Sequence, residues 1–315
     1  MNSQTNMFDG VIGQVKTKKK LKFFLKAQHK TGISPNIMFV APKGCGKTMM
    51  AEAYASYLKK RDGTERPSCY LNCSTLKNIS EFMERVLIPC TQSERECTIF
   101  LDEASEIPRN VTMGLLTMLN PNRNYRNTFN YEGSSFEINF RRTTFLFATT
   151  EAHQVFHALM DRLERVDLDE YTSEDLSLIV SKESDLPISP IVMKQLMPIA
   201  RGNGRDAFLL AQRINNWSLN NPEVTKFGVD QWKDLVDNVS ILPLGLNANE
   251  VKLLKILAER PVTTLTGLSA RTMMSKTSLQ KDLELYLQKQ NLMEIAPTGR
   301  KITEKGKRYL ELVKD

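Results

Sequence analysis

Hydrophobic residues in the first half of the chain fall into short unbroken runs, separated by longer stretches in which they recur every three or four positions. The runs at 37–40, 69–71, 98–101 and 144–148 predict strands. Uninterrupted apolar strands belong to a parallel sheet covered by helices on both faces, which makes the fold class α/β. The three-and-four spacing predicts helices over 48–60, 80–87 and 111–119, and an N-terminal helix with an apolar face of Val15, Leu21, Phe24 and Leu25. Between the third helix and the strand at 144, Phe129, Tyr131, Phe136, Ile138 and Phe140 alternate around Glu132-Gly133-Ser134. Period-two alternation about a glycine turn predicts a hairpin over 127–140. Its aromatic surface suits either packing onto its own domain or docking onto a partner.

From 172 to about 242 the pattern is helical throughout, with apolar spacing at 176–180, 191–199 and 207–214, until Leu242-Pro243-Leu244-Gly245 breaks it. The remainder predicts helices at 248–258, 266–273 and 275–290, strands at 292–296 and 301–303 around the turn Pro297-Thr298-Gly299-Arg300, and a final helix. Ser275 and Thr303 are suited to cap the third and last of these helices. That order is a winged helix. The expected organisation is a P-loop domain with a parallel sheet at 1–171, a small helical lid at 172–243 and a winged-helix domain at 244–315.

Composition narrows the function. The chain has 315 residues with 41% hydrophobic and 25% charged, and no apolar run reaches the roughly 20 residues of a membrane span. The polar start at 1–8 lacks the order of a secretory leader, so a cytoplasmic protein is expected. Five cysteines in apolar contexts fit buried free thiols better than a disulfide framework. His153 and His157, four apart on an expected helix, have no acid at metal-site spacing. The net charge is +7, and residues 249–315 hold 13 Lys/Arg against 8 Asp/Glu. A basic C-terminal domain points to nucleic acid. The lysines of the N-terminal helix fit a solvated face better than a second such contact.

The specific chemistry lies in two local motifs. Ala41-Pro42-Lys43-Gly44-Cys45-Gly46-Lys47-Thr48 joins an expected strand to an expected helix. In such a loop the glycines let backbone N–H groups turn onto phosphates, the lysine neutralises them and the threonine hydroxyl joins a Mg²⁺ shell. ATP is therefore expected against Gly44, Cys45, Gly46, Lys47, Thr48 and Met49. The second motif, Thr98-Ile99-Phe100-Leu101-Asp102-Glu103, ends a strand in two acids. Asp102 would hold Mg²⁺ together with Thr48, and Glu103 would polarise the attacking water, with Lys47 assisting.

With loop, acid pair, lid and winged helix in this order, the chain resembles the RuvB family of AAA+ motors, which drive branch migration of Holliday junctions. Phe8-Asp9-Gly10-Val11-Ile12-Gly13-Gln14 is similar to the family's opening segment against the adenine, which implies a contact from Ile12. Phe147-Ala148-Thr149-Thr150 resembles its sensor 1 and implies Thr150. Asp161-Arg162 resembles the Asp-Arg of the arginine finger, which implies a catalytic Arg162 reaching a neighbour's site. Arg201-Gly202-Asn203-Gly204-Arg205 resembles the Arg-Gly-Thr-Pro-Arg of sensor 2 and implies Arg205. The stretch through Pro297-Thr298-Gly299-Arg300 resembles the family's wing, which implies that Arg300 and the adjoining Lys301 meet DNA. The resemblance further implies a homohexamer on branched or duplex DNA and a RuvA-like partner gripped by the hairpin at 127–140. The loop departs by beginning with Ala41. An initiator-type AAA+ protein, using ATP as a latch beside a winged helix, is the alternative.

Overall fold

The computed structural model describes residues 7–91 and 95–313, so most of the polar start at 1–8 lies outside the described residues. The chain forms two compact units, one of residues 1–183 with 202–211, the other of residues 184–201 with 212–315.

The first unit is built on β1 (Ile37–Val40), β2 (Ser68–Asn72), β3 (Cys97–Asp102), β6 (Thr143–Thr149) and β7 (Glu164–Asp167), paired in parallel in the order β2-β3-β6-β1-β7. Every residue of β3 and β6 is buried, as unbroken apolar runs demand. The fifth strand, β7, is absent from the sequence expectation because Glu-Arg-Val-Asp is charged at three of four positions. At this sheet edge only Val166 is buried.

Around the sheet stand α1 (Val15–Thr31), α2 (Lys47–Tyr57), α3 (Ile79–Phe82), α4 (Ile88–Thr91), α5 (Arg109–Met118), α6 (His157–Met160) and α7 (Ser173–Glu183). A π turn at Met83–Leu87 joins α3 to α4. The buried face of α1 is Thr17, Leu21, Leu25 and Gln28, whereas Val15 is 78% exposed, which corrects the expected face. Two polar side chains take the inward places because backbone carbonyls are within their reach. Thr17 donates to the Asp167 carbonyl at 2.8 Å and Gln28 Nε2 to the Lys59 carbonyl at 2.9 Å. The histidines do not share a helix: His153 lies in a turn, and His157 opens α6 with Nδ1 3.1 Å from Asp161. All five cysteines are free, and only Cys69 is not fully buried.

The hairpin is present as β4 (Arg126–Tyr131) and β5 (Ser134–Asn139), with Phe129 opposite Phe136. Its aromatic side faces its own domain. Phe129, Tyr131 and Phe136 pack on the core, Ile138 is buried within it, and the Tyr131 hydroxyl lies 2.9 Å from Ser80 Oγ. Gly114 of α5 lies under the hairpin, where an added Cβ would meet the Phe129 ring at an ordinary contact distance of 3.4 Å and Ile79 Cδ1 more tightly at 3.1 Å. The outward positions Arg126, Thr128, Asn130, Ser135 and Glu137 are exposed and polar.

The second unit contains α8 (Pro190–Ala200), the part of α9 (Gly204–Asn220) from Gln212 onward, and α10 (Val229–Val239). A winged helix follows: α11 (Ala248–Ala258), α12 (Leu265–Thr272), α13 (Lys276–Ser278), α14 (Leu285–Lys289), β8 (Met293–Ala296), β9 (Gly299–Ile302) and α15 (Glu304–Leu312). A π turn at Leu279–Glu284 connects α13 and α14 into the expected third helix. Ser275 and Thr303 are the caps the sequence implies, accepting from the amides of Ser278 and Gly306 at 3.0 Å each. Leu253, Leu257, Leu268, Leu279 and Leu292 form the centre of its core.

Candidate functional site

At the carboxyl end of β1 the chain turns through Ala41 to Gly46 and enters α2. Gly44 and Gly46 have φ of 80° and 84°, a left-handed conformation that glycine adopts without strain. A side chain at either would also collide, with Asn203 Oδ1 at 1.8 Å and with the Tyr171 hydroxyl at 2.6 Å. Ala41 has no such requirement. It is buried, its φ is not positive, and its N–H donates to the Thr149 carbonyl at 3.4 Å. The departure at the head of the loop therefore falls where a methyl group fits. Lys47 is also buried, its Nζ donating to the carbonyls of Ala41 at 2.9 Å and Pro42 at 3.1 Å. Desolvation pulls the Lys47 ammonium below its usual range, against the opposing pull of Glu103 and other nearby anionic groups.

At the end of β3, Asp102 makes three contacts. Oδ2 accepts from Thr48 Oγ1 at 2.9 Å and from the Tyr70 hydroxyl at 3.3 Å, and Oδ1 accepts from the Glu103 amide at 2.9 Å. The Thr48 and Asp102 oxygens thus converge as a Mg²⁺ shell requires. Glu103 has φ of 54°, a left-handed conformation costly for a residue with a side chain and typical of functional positions.

A cavity of about 630 Å³ opens above these groups, lined by Ile12, Gly44, Gly46, Lys47, Thr48, Met49, Asp102, Glu103, Thr150 and Arg205, with Tyr70, Tyr171, Lys182 and Phe208. It therefore unites most of the expected nucleotide residues from five separate stretches of chain. The exposed Arg205 faces it with a guanidinium that has no partner among the described residues. Asn203 places Arg205 there, because its Oδ1 accepts from the Arg205 amide at 2.8 Å and starts α9. Gly204 donates to the Gly44 carbonyl at 3.0 Å, which a proline at that position could not do.

Four expected residues lie elsewhere. Cys45 is buried behind the loop and does not line the cavity. Arg162 is also outside it, with Nη1 donating to the Ala158 carbonyl at 2.6 Å and Nε to the Leu116 carbonyl at 3.2 Å. Arg300, implied by the resemblance to meet DNA from the wing, is 13% exposed and bidentate to Glu284, with Nε–Oε1 of 2.8 Å and Nη2–Oε2 of 3.1 Å. Its main chain is also paired with Thr263 in both directions. Lys301 beside it is also only partly exposed. Tyr70 and Tyr171 carry no motif, and the sequence offered no signal for them beyond a tyrosine one residue before a buried strand position and one before a helix.

The chain is similar to known proteins along most of its length. Residues 37–171 match the ATPase family associated with various cellular activities (AAA), and residues 243–311 match the RuvB C-terminal winged helix domain. The chain is 26% identical over 323 residues to the Holliday junction branch migration complex subunit RuvB of Mycoplasmopsis pulmonis, covering 97% of this chain and 96% of that one. Its identity to the subunit of the same name from Thermotoga maritima is 25%, covering 96% and 90%. A solved mutant of Thermotoga maritima RuvB superimposes with a TM-score of 0.76 at 24% identity, over 96% of this chain and 97% of that one.

A P-loop and a strand-end acid pair meeting in one cavity, within a matched AAA domain and on a chain that ends in a winged helix, define an AAA+ ATPase and hence a nucleotide-binding protein. Within that class the chain belongs to the RuvB family.

Proposed function

We propose that the protein is a ring-forming, ATP-driven DNA motor that promotes branch migration of Holliday junctions. The observation that carries this reading is the division of the catalytic groups. Lys47, Asp102, Glu103 and Arg205 face one cavity, and Arg162 stands apart from it. An arginine placed to serve a neighbour's site requires neighbours, and a homohexamer is the assembly proposed.

In each site ATP would lie with its phosphates on the amides of Gly44 to Met49, its γ-phosphate near Lys47 and Arg205, and its base toward Ile12. Thr48 and Asp102 are the residues that would hold Mg²⁺, which would neutralise developing charge. Glu103 polarises the attacking water, and Thr150 holds it from the adjacent strand. We place the ATPase domain at 1–171, the lid at 172–243 and the DNA-binding domain at 244–315. Lys301 contacts the DNA backbone, and Arg300 holds the wing to its helix. The outward polar face of the hairpin at 127–140 receives a RuvA-like, junction-binding partner. The protein works in the cytoplasm, in recombination and repair, and no helix among the described residues is long and apolar enough to cross a membrane.

The test is the ATPase rate with a four-way junction, a linear duplex and a single strand, alongside the particle mass with and without ATP. Turnover stimulated most by the junction, with ATP-dependent assembly, is the expected result. Slow single-turnover hydrolysis with site-specific binding would identify an initiator-type latch. Absence of both stimulation and assembly would end the motor reading.

A further inference from the structure

The amino ends of the sheet strands carry a feature that the nucleotide chemistry does not use. There a cleft of about 440 Å³ opens between the end of α1, the loop leaving α2, and the turn before β6. Cationic groups line it from all three: Lys30 from the helix, Lys59, Lys60 and Arg61 from the loop, and Arg141 from the turn. Glu96 is the acid among its lining residues, and it is already engaged. Its Oε2 accepts from the Arg61 amide at 3.1 Å and lies 3.6 Å from the buried Arg66. Asp62, at the loop tip, is turned onto Thr64, accepting from its amide at 2.9 Å and its hydroxyl at 2.6 Å.

The walls are fixed by hydrogen bonds. Gln28 ties α1 to the Lys59 carbonyl at 2.9 Å, and His29 Nε2 lies 3.2 Å from the Tyr57 carbonyl. Arg141 donates to the Thr31 carbonyl at 3.2 Å. The loop closes on itself, Lys60 donating to Thr64 and Gly63 to Lys60 at 3.0 Å each. Charges held on a prearranged backbone cost less to order on binding than charges on a mobile loop.

The cleft continues along α1. Lys19, Lys22, Lys26 and Lys30 follow one another at intervals of three, four and four, one stripe on the helix, roughly 16 Å long at the α-helical rise. The side chains of Lys22, Lys26, Lys30, Lys60 and Arg61 make no hydrogen bond or ion pair with any described residue. Unpaired cations at regular intervals, running into a rigid basic cleft, complement a polyanion with regularly spaced charges.

We propose that this stripe and cleft form a second DNA contact, on the ATPase unit, which holds the phosphate backbone of duplex DNA without reading its sequence. The proposal rests on the motor reading above, since it supplies that motor with a second grip. The contact lies at the opposite ends of the strands from Lys47 and Asp102, so it can be altered without touching the site of hydrolysis.

The experiment measures binding of a labelled duplex by fluorescence anisotropy across a salt series, using the full chain and a variant carrying Lys26→Ala, Lys30→Ala, Lys60→Ala and Arg61→Ala. Each phosphate contact contributes about 0.9 to the slope of log affinity against log salt. The variant is expected to lose roughly 2 to 4 from that slope while keeping its DNA-free ATPase rate. A second variant with Lys26→Arg, Lys30→Arg and Lys60→Arg keeps the charge and is expected to retain the slope. A loss below about 1 in the alanine variant, with wild type binding duplex normally, overturns this contact and leaves the motor reading intact. A wild-type chain that does not bind duplex overturns both.

Discussion

The nucleotide cavity and the winged-helix unit use the same charged residue types in opposite ways. In the cavity, Lys47 is held by neutral carbonyls, Asp102 accepts only from neutral donors, and Arg205 has no partner among the described residues. In the second unit each motif arginine is closed onto a buried glutamate. Arg300 clasps Glu284, and Arg201 clasps Glu250 at 2.8 and 2.7 Å while lying 3.7 Å from the Tyr286 ring. Arg201 and Arg205 are four residues apart in one motif, yet the first is structural and the second points at the phosphate cradle. Charge left unpaired in a cavity marks chemistry, whereas charge paired bidentately under cover marks architecture.

This contrast can be broken by substitution, and the largest effect is expected at the arginine that fits neither pattern. Arg162→Ala should lower ATP turnover by about 10³-fold or more while nucleotide affinity stays unchanged, as steady-state kinetics and equilibrium binding would show. Normal turnover in that variant would return Arg162 to a structural part as the donor to Ala158 and Leu116. Next in size is Glu284→Ala, which strands a mostly buried guanidinium. It should cost about 3–5 kcal/mol in denaturant unfolding and leave nucleotide affinity alone. Replacing Arg300 by Met and Glu284 by Leu together should be far milder, because no lone charge remains.

Gly204→Pro should cost about 2 kcal/mol, since it removes the bond to Gly44 and drives a ring toward Tyr171, whose Cε2 already lies 2.6 Å from where a side chain would start. The family motif has proline at this place, so a stable Gly204→Pro protein would show that Tyr171 moves aside. The smallest effect is expected from Tyr70→Phe. Loss of its bond to Asp102 should reduce kcat by roughly fivefold with KM for ATP unchanged. A matching rise in KM instead would assign Tyr70 to ground-state binding.

Much of the cavity was legible in the sequence because its chemistry is local. A loop of glycines and a strand ending in two acids are each contiguous, and their spacing states their purpose. The four central strands were legible for the same reason. What could not be read depends on partners distant along the chain. Thr17 and Gln28 face inward only because carbonyls of Asp167 and Lys59 await them, and Arg300 is withdrawn from the surface by Glu284, 16 residues earlier. The π turn that carries Glu284 has no marker in a helical hydrophobic pattern. The hairpin gave its strands away by alternation, yet alternation is silent about which face meets the parent domain.

That hairpin has a consequence for how the protein can change over generations. Its inward residues are constrained by the core, through Phe129, Phe136 and the tie from Tyr131 to Ser80, while Arg126, Thr128, Asn130, Ser135 and Glu137 answer to nothing inside the molecule's hydrophobic centre. Mutation can rewrite the outer face one residue at a time without unsettling the ATPase beneath it. A lineage could therefore redraw this outer face while the ATPase beneath it stayed the same.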